Sequence, residues 1–227
     1  MPASTVRRQN LRDGVADIVR DRILDGTLRP GDRIDQDGLA AELELSKLPV
    51  REALIQLEWM GLIRTIPYRG SFVVELEPDD LRDTYFVYGT VCSVAARRAA
   101  LTLSESTLDH LGVLLDAIDD HHDTGDIDAA HMEFHQTINR AGTSRRMRRI
   151  IGQLYDSLPI RTFDFTHLWI EGTQRDHRLI LDCLRRGDAD AAAEATCDHF
   201  TTGGERVIEA LAERGYWATV AHEPRGD

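Results

Sequence analysis

The sequence of 227 residues predicts a mainly α-helical protein that contains one short β-hairpin. Two observations carry this prediction. Apolar residues recur at three- and four-residue spacing through most of the chain, as on one face of a helix. Only the segment LIRTIPYRGSFVVEL, residues 62–76, has two short β-branched and aromatic runs around a turn, and no strand pattern follows it. We therefore expect a small N-terminal domain with the hairpin and a larger, all-helical domain.

Residues 1–75 carry signals for three helices and the hairpin, in that order. Apolar residues at helical spacing in 15–24 predict the first helix, and DGTLRPGD then supplies Gly and Pro stops. A second short helix is predicted for 37–43. Ser46 is a good N-cap for a third, from Leu48 to about Met60. This order of elements is typical of a winged helix-turn-helix domain.

Residues 76–227 are predicted to form an antiparallel bundle of about six helices. Proline at a first helical turn, serine and aspartate caps, and glycine stops set the boundaries. The predicted helices are Pro78–Leu101, a segment from the Ser104 cap to Thr124, Asp126–Gly142, Arg145–Phe163, Gly172–Arg186 and Asp188–Arg214. Short loops between long helices are the usual arrangement of helical bundles.

Charge is distributed unevenly between these two parts. The formal net charge is −12, yet residues 1–75 hold 11 Lys and Arg against 12 Asp and Glu, while residues 76–227 hold 16 against 27. The acidity belongs almost wholly to the helical part. A local cationic face in the N-terminal part is therefore compatible with the composition.

Cysteine usage and hydropathy bear on the compartment. The three cysteines are far apart and form no C-x-x-C pair, so neither a disulfide framework nor a cysteine zinc knuckle is predicted. The first segment, MPASTVRRQN, lacks the apolar stretch of a signal peptide, and the longest apolar run, 86–96, is too short to span a bilayer. We expect a cytoplasmic protein that is not inserted in a membrane.

Six segments resemble the GntR family of bacterial transcriptional regulators, in its FadR-like branch with an all-helical FCD effector domain. They are ILDGTLRPGDRI, LAAELELSKLPVREALIQLEWMGLI, PYRGSFV, EFHQTINRAG, RDHRLILDCLRRGDADAA and DHF. The resemblance implies a DNA-binding domain in 1–75 and an effector-binding and dimerisation domain in 76–227. It further implies a homodimeric regulator, most often a repressor, whose affinity for an operator is controlled by a small metabolite.

The third predicted helix has the properties of a DNA-recognition helix. Its apolar stripe can face the domain core, while Lys47 and Arg51 point outward, where cations reach phosphates or guanine. Ser46 at the helix N-terminus is expected to contact a phosphate. The resemblance assigns Arg69 and Gly70 to the tip of a wing that approaches the minor groove. Solvated helix charges and an ordinary hairpin turn are the alternatives.

The resemblance also identifies a metal site in the helical domain. Its four histidines are His131, His135, His177 and His199. The first two are four residues apart and share a helix face. In the family an Asp takes the place of His131 and completes the divalent cation site with three histidines. Four imidazoles favour zinc, nickel or copper, with zinc or nickel expected, whereas buried histidines with ordinary hydrogen bonds are the alternative.

Three other positions depart from the family pattern. Asp37 stands where many members have an Arg just before the second helix, and an acid there would repel phosphates. Tyr88 and Cys92 stand where many members have an Arg and a Glu in the first helix of the effector domain. Tyr88 can donate one hydrogen bond to an effector but brings no charge. Arg161 is a candidate substitute cation for an organic acid, and a surface Arg is its alternative.

Two other functions compete with a metabolite-responsive regulator. A metal-dependent hydrolase would use H-x-x-x-H and two later histidines to hold catalytic zinc. The H-E-x-x-H motif is absent because Met132 occupies the Glu position, and four protein ligands leave little room for an activated water. The other alternative keeps the fold and makes the metal itself the signal.

Overall fold

The computed structural model describes residues 3–120, 124–158, 166–213 and 215–217. Within these ranges the chain forms nine α-helices and one two-stranded antiparallel sheet, which confirms the predicted fold class. It divides into two compact units: Met1–Glu77 with Ala210–Asp227, and Pro78–Glu209. In the part that is described, no helix is both long and apolar enough to cross a membrane.

The first unit has the elements of a winged helix-turn-helix. These are α1 (Ala3–Leu24), α2 (Gln36–Glu42), α3 (Lys47–Trp59), β1 (Ile63–Ile66) and β2 (Gly70–Val73). The strands form a hairpin whose register runs from the pair Ile63 and Val73 to the pair Ile66 and Gly70. An isolated bridge between Arg33 and Phe72 ties the segment before α2 to this hairpin.

Local signals explain why α2 and α3 begin and end where they do. The carboxylate of Asp35 accepts hydrogen bonds from the backbone N–H groups of Asp37 and Gly38, which caps α2. Glu44, in the turn between the two helices, has φ of +53°, a left-handed conformation that reverses the chain. Gly61, with φ of +74°, directly follows the C-cap residue of α3, and its left-handed conformation stops the helix.

The apolar faces of the three helices and the hairpin form one core. Its deeply buried side chains include those of Val15, Ala16, Val19, Ile23, Val50, Ala53, Leu57, Ile63 and Val73. Members of this core recur at three- and four-residue spacing in α1 and α3, as the sequence pattern predicts. Packing of this face fixes α3 with its opposite face toward solvent.

The second unit is built from six helices. They are α4 (Pro78–Ala99), α5 (Glu105–Asp120), α6 (Thr124–Gly142), α7 (Arg145–Ser157), α8 (Thr166–Arg185) and α9 (Ala189–Glu213). Their shared core includes Ala96, Leu111, Leu115, Phe134, Ile138, Ile180, Leu181 and Leu184. Two glycines allow α4 to pack closely on α9: a Cβ on Gly204 would lie 2.8 Å from Tyr85, and one on Gly89 would lie 3.1 Å from Phe200.

Two predicted boundaries in this unit are wrong. The fifth bundle helix was predicted to begin at Gly172, whereas α8 begins at Thr166, because a single glycine inside a helix costs only about 1 kcal/mol and does not stop it.

The sequence pattern placed the end of the fourth bundle helix near Phe163, whereas α7 ends at Ser157. Leu158 has φ −77° and ψ 139°, an extended conformation. It precedes Pro159, whose ring disfavours helical backbone in the residue before it. The proline therefore explains the early end of the helix.

Candidate metal centre and nucleic-acid interface

Four histidine side chains meet inside the second unit. His131 and His135 lie on α6, His177 lies on α8 and His199 lies on α9. One ligand nitrogen from each lies within 4.8 Å of those of the other three. We call this group the histidine cluster. Because its members come from three helices, only the folded bundle assembles it.

The environment of the cluster keeps its imidazoles neutral. Burial, with the nearby His199 as a smaller cause, lowers the pKa of His131 to about 3. Burial also lowers the pKa values of His135 and His177 well below the ordinary range. The pKa of His199 is lowered by burial too, although Asp176 opposes this shift. Neutral imidazole is the form that binds metal ions.

Distances and unsatisfied atoms in the cluster fit a shared cation. The Nε2 atoms of His135 and His177 are 2.9 Å apart, which is a hydrogen bond between the two rings and brings these nitrogens close to the separation of metal ligands. Nitrogen ligands of a tetrahedral zinc ion, each about 2.0–2.1 Å from the metal, lie roughly 3.3 Å apart. His199 Nε2 is buried and has no hydrogen-bond partner among the described residues. A metal ion would give this nitrogen a partner, and the four residues therefore fit zinc or nickel.

Asp176 supports the cluster from outside, and the sequence analysis missed it. Its Oδ2 lies 3.6 Å from His199 Nδ1 and 3.6 Å from Arg206 Nη1. Burial alone would raise the pKa of Asp176, but His199 and Arg206 together hold it below its ordinary value. A carboxylate behind a histidine orients the ring and directs its other nitrogen to a metal. The only signal in the sequence is that Asp176 directly precedes His177.

A cavity of about 420 Å³ adjoins the cluster, with His131 and His135 in its lining. Tyr88, Tyr155 and Phe200 give it an aromatic wall, and the rings of Tyr88 and Phe200 meet edge to face at 4.7 Å. The cavity is thus large enough for a small organic molecule and lies next to the histidines.

Of the two residues predicted to bind an effector, the structure describes only Tyr88. Tyr88 is buried, lines the cavity, and has a pKa raised well above its ordinary value by burial and by neighbouring Cys92. Arg161 lies outside the described residues. Two other cations, Arg140 and Arg148, also line the cavity, and the sequence analysis missed both. Arg148 donates to the carbonyl oxygens of Arg140 and Thr143 at 3.2 and 2.8 Å, which holds its guanidinium beside the end of α6.

The predicted DNA contacts on α3 lie at its N-terminal end. Ser46 is the N-cap residue, but its side chain makes no capping hydrogen bond. Lys47 and Arg51 are exposed, on the side of α3 away from the core. Lys47 Nζ lies 2.8 Å from Asp37 Oδ1, so the acidic residue that departs from the family pattern pairs with one of the predicted DNA contacts.

The hairpin turn presents a second exposed group. Arg69 is exposed and its N–H donates to the Ile66 carbonyl at 3.0 Å. Gly70 has φ of +106°, a conformation that favours glycine, and a Cβ there would lie 2.9 Å from Nε of the flexible Arg33 side chain. Tyr68, which the sequence analysis did not single out, is fully exposed with φ of +64°. Such a conformation is uncommon for a bulky residue and places its ring at the tip.

Comparison with known proteins agrees with this architecture. Residues 11–73 match the family of bacterial regulatory proteins called gntR, and residues 83–202 match the FCD domain. The winged helix and these two matches define a DNA-binding transcriptional regulator and not an enzyme. The chain belongs to the GntR family and joins that family's helix-turn-helix domain to an FCD domain, which confirms the resemblance.

Individual relatives are regulators as well. The Nta operon transcriptional regulator of Aminobacter aminovorans is 35% identical over 193 residues, covering 81% of this chain and 88% of that protein. The HTH-type transcriptional repressor RspR of Escherichia coli K12 is 26% identical over 227 residues, covering 95% of each. An HTH-type transcriptional regulator of Mycobacterium tuberculosis H37Rv is matched over 64% of its length.

A solved structure shows the same fold. The crystal structure of a GntR family regulator from Pseudomonas syringae pv. tomato DC3000 has a TM-score of 0.58 with 24% identity, and the alignment covers 96% of this chain and 91% of that one.

Proposed function

We propose that the chain is a cytoplasmic, homodimeric repressor whose affinity for its operator is controlled by a small organic acid. In this proposal residues 1–75 bind DNA, and residues 76–227 bind the acid beside a zinc or nickel ion and form the dimer. The observation that carries it is the cavity whose lining includes His131 and His135 of the histidine cluster, in a protein that also has a winged helix-turn-helix. RspR, a relative over most of its length, is named a repressor.

The DNA-binding part of the proposal rests on exposed groups. Lys47 and Arg51 are cations on the solvent side of α3, suited to phosphates and to the acceptor atoms of guanine. The Ser46 hydroxyl is not used as a cap and can donate to a phosphate at the start of the helix. Arg69 and Gly70 would bring the wing to the minor groove, with the Arg69 side chain as its cation.

The effector-binding part rests on charge. Four neutral imidazoles add no negative charge, so a divalent cation among them would keep its full positive charge and attract an anion. Arg140 and Arg148 add two positive charges to the lining of the same cavity and Asp156 adds one negative charge, so the balance of the lining is positive. The aromatic wall formed by Tyr88, Tyr155 and Phe200 suits the apolar body of the ligand. A carboxylate attached to an apolar body matches both features.

A regulator that senses the metal itself is the second candidate. The histidine cluster joins three helices, α6, α8 and α9, so metal binding alone could change how they pack. The two candidates differ in what changes DNA binding. Metal alone would be enough for a metal sensor, whereas the effector model requires the acid as well.

Elemental analysis of untagged protein, followed by a thermal-shift screen of organic acids, tests the proposal. We expect about one zinc or nickel per chain, and an acid that raises the melting temperature only when metal is present. His177→Ala should abolish both effects. His110→Ala is the matched control, because His110 is exposed and paired with Glu133 outside the cluster.

Gel shifts on the intergenic DNA beside the gene then test regulation. The acid identified in the screen should release the DNA from metal-loaded protein and have no effect on the His177→Ala variant. Protein that takes up no metal after incubation with excess zinc and nickel would refute the metal site. Release by metal alone would favour the metal sensor.

A further inference from the structure

The turn of the hairpin has the features of a type II β-turn but not the residue that such a turn prefers. Residues 67–69 join the two strands, and the Arg69 N–H donates to the Ile66 carbonyl at 3.0 Å, which closes the turn. Pro67 is its second residue and Tyr68, with φ of +64°, is its third. Type II turns favour proline at the second position and require a positive φ at the third, where glycine is usual. An aromatic side chain there strains the backbone.

The Tyr68 side chain adds nothing to the packing of the first unit. It is fully exposed, so it buries no area against the hairpin or the core. Strained positions persist at binding sites, where the strained side chain has a role in contacting a ligand. Pro67 fixes its own φ and the hydrogen bond closes the turn, so the ring is held on a rigid support and loses little freedom when it binds. Tyr68 is therefore a candidate contact for a binding partner.

The charges around the turn favour nucleic acid as that partner. Residues 59–74 contain Arg64 and Arg69, both exposed, and no acidic residue. Arg33 is a third exposed cation and lies against the backbone at the start of β2. Glu58 of α3 is an acid that contacts the hairpin, where its carboxylate accepts a hydrogen bond from a backbone N–H of β1. The balance is positive, which suits the phosphates on both sides of a groove, while the ring suits the bases between them.

We propose that the Tyr68 ring enters the minor groove of the operator and inserts at one base step, which opens the stacking there and bends the DNA. The inference rests on the proposed function in that Arg69 and Gly70 must bring the hairpin turn to the minor groove. It adds the side chain that reads the groove and the property of the DNA that is read. Apolar wedges between base pairs partly unstack a step and kink the duplex toward the major groove.

Insertion makes Tyr68 a specificity-determining residue that needs no hydrogen bond to a base. Pyrimidine–purine steps such as TA and CA/TG unstack easily, whereas A-tracts are stiff. An operator with a flexible step under the turn is therefore deformed at a lower cost in free energy than one with an A-tract there. The preference depends on the ring, because a side chain that does not insert causes no deformation by which the two sequences differ.

Affinity measurements on paired duplexes test the inference. Hydroxyl-radical footprinting on the intergenic DNA beside the gene locates the minor-groove contact that is lost in Tyr68→Gly. Two duplexes then differ only there, with a TA step in one and an A-tract in the other. We expect wild type to prefer the TA duplex about fivefold or more, Tyr68→Phe to keep that preference, and Tyr68→Gly to bind the two alike.

Energy transfer between dyes at the two duplex ends measures the bend. Wild type and Tyr68→Phe should bring the ends closer together than Tyr68→Gly does. Tyr68→Gly should keep the wild-type melting temperature, since glycine is the residue that the turn favours. Trp59→Ala is the matched control, because Trp59 is an aromatic side chain of the same unit, 73% exposed, at the end of α3 away from the predicted contacts. It should keep both the preference and the bend.

Three results would overturn the insertion of Tyr68: identical footprints of wild type and Tyr68→Gly, equal affinity of wild type for the two duplexes, or a wild-type bend in Tyr68→Gly. Operator binding that still depends on Arg51 and responds to an acid would then leave the proposed function intact. Conversely, a preference and a bend that depend on Tyr68, in a protein that no acid releases from DNA, would refute the proposed function alone. Wild type that binds none of the intergenic DNA would overturn both.

Discussion

Asp37 forms an ion pair with Lys47, one of the residues predicted to contact DNA. Its carboxylate lies 2.8 Å from Lys47 Nζ, and the two side chains are 70% and 74% exposed. A pair this exposed contributes little to folding, typically about 0–1 kcal/mol. Near DNA it has a larger effect, because Asp37 competes with phosphates for Lys47 and repels them itself. If Lys47 contacts DNA, Asp37 would limit the affinity while contributing little to the stability of the fold.

We therefore expect Asp37→Asn to tighten DNA binding several-fold at low salt and to change the free energy of unfolding by less than about 1 kcal/mol. Fluorescence anisotropy with labelled operator measures the affinity, and urea denaturation measures the stability. Asp109→Asn, at an exposed position on α5, changes the net charge equally and is the control. Equal affinity in the two variants would mean that Asp37 does not face the DNA.

Arg51 is the other exposed cation of α3 that is predicted to contact DNA. It is exposed on the side of α3 that faces away from the core, at the end that begins with Ser46. If it contacts a guanine, Arg51→Ala should weaken specific binding by about 1–3 kcal/mol and relax the preference at one base pair.

Arg145→Ala, which removes an exposed cation from α7 of the second unit, is the matched control for Arg51→Ala. Competition gel shifts with operator and with random DNA separate specific from non-specific loss. An Arg51→Ala protein that binds operator as wild type does, together with a normal Lys47→Ala protein, would exclude α3 as the recognition helix.

At the scale of elements, α8 carries one cluster histidine and a carboxylate that lies near another. His177 belongs to the cluster, while the preceding residue, Asp176, lies against His199 of α9. Consecutive residues on a helix point about 100° apart, so one turn of α8 contributes to both. Arg206 holds Asp176 from the far side.

Asp176→Asn should lower metal affinity by about 10- to 100-fold, because the amide supports His199 less well than the carboxylate does. Competition with a zinc chelator of known affinity measures this change. Asp182→Asn, at an exposed position later on α8, tests whether loss of any acid from that helix has the same effect. Wild-type affinity in Asp176→Asn would show that the carboxylate has no orienting role.

Helix periodicity, caps and stops predicted all nine described helices and the hairpin, because each depends on residues close together in the chain. The end of α7 was missed since the effect of Pro159 on Leu158 outweighed the helical pattern. Spacing and resemblance together selected the four histidines. Asp176, Arg148 and Tyr68 could not be found this way, because their significance comes from contacts across the bundle or from an unusual φ in the turn.

At the scale of the whole molecule, the division of charge matters for association with DNA. The chain has a net charge of −12, but residues 1–75 are close to neutral and expose Lys47 and Arg51 on α3 and Arg69 at the wing. A single unit of this kind offers few phosphate contacts. Binding by two units on one duplex adds their contacts and makes the affinity steeply dependent on salt. We therefore expect selective binding to require the proposed dimer.

The last prediction concerns the spacing of operator half-sites. A dimer places its two recognition helices about one turn apart, or a multiple of it, on one side of the DNA. Inserting about 5 base pairs between the half-sites turns one of them to the opposite side, so binding should weaken at least about tenfold, toward the affinity for a single half-site.

Anisotropy titrations with intact, half-site and spacer-altered duplexes measure this dependence, and the slope of log K against log salt should be smaller for the half-site. The half-site duplex provides the matched control, because adding about 5 base pairs beside a single half-site changes no spacing and should leave its affinity unchanged. Insensitivity of wild type to the insertion between two half-sites would show that two DNA-binding units do not read the operator together at a fixed spacing.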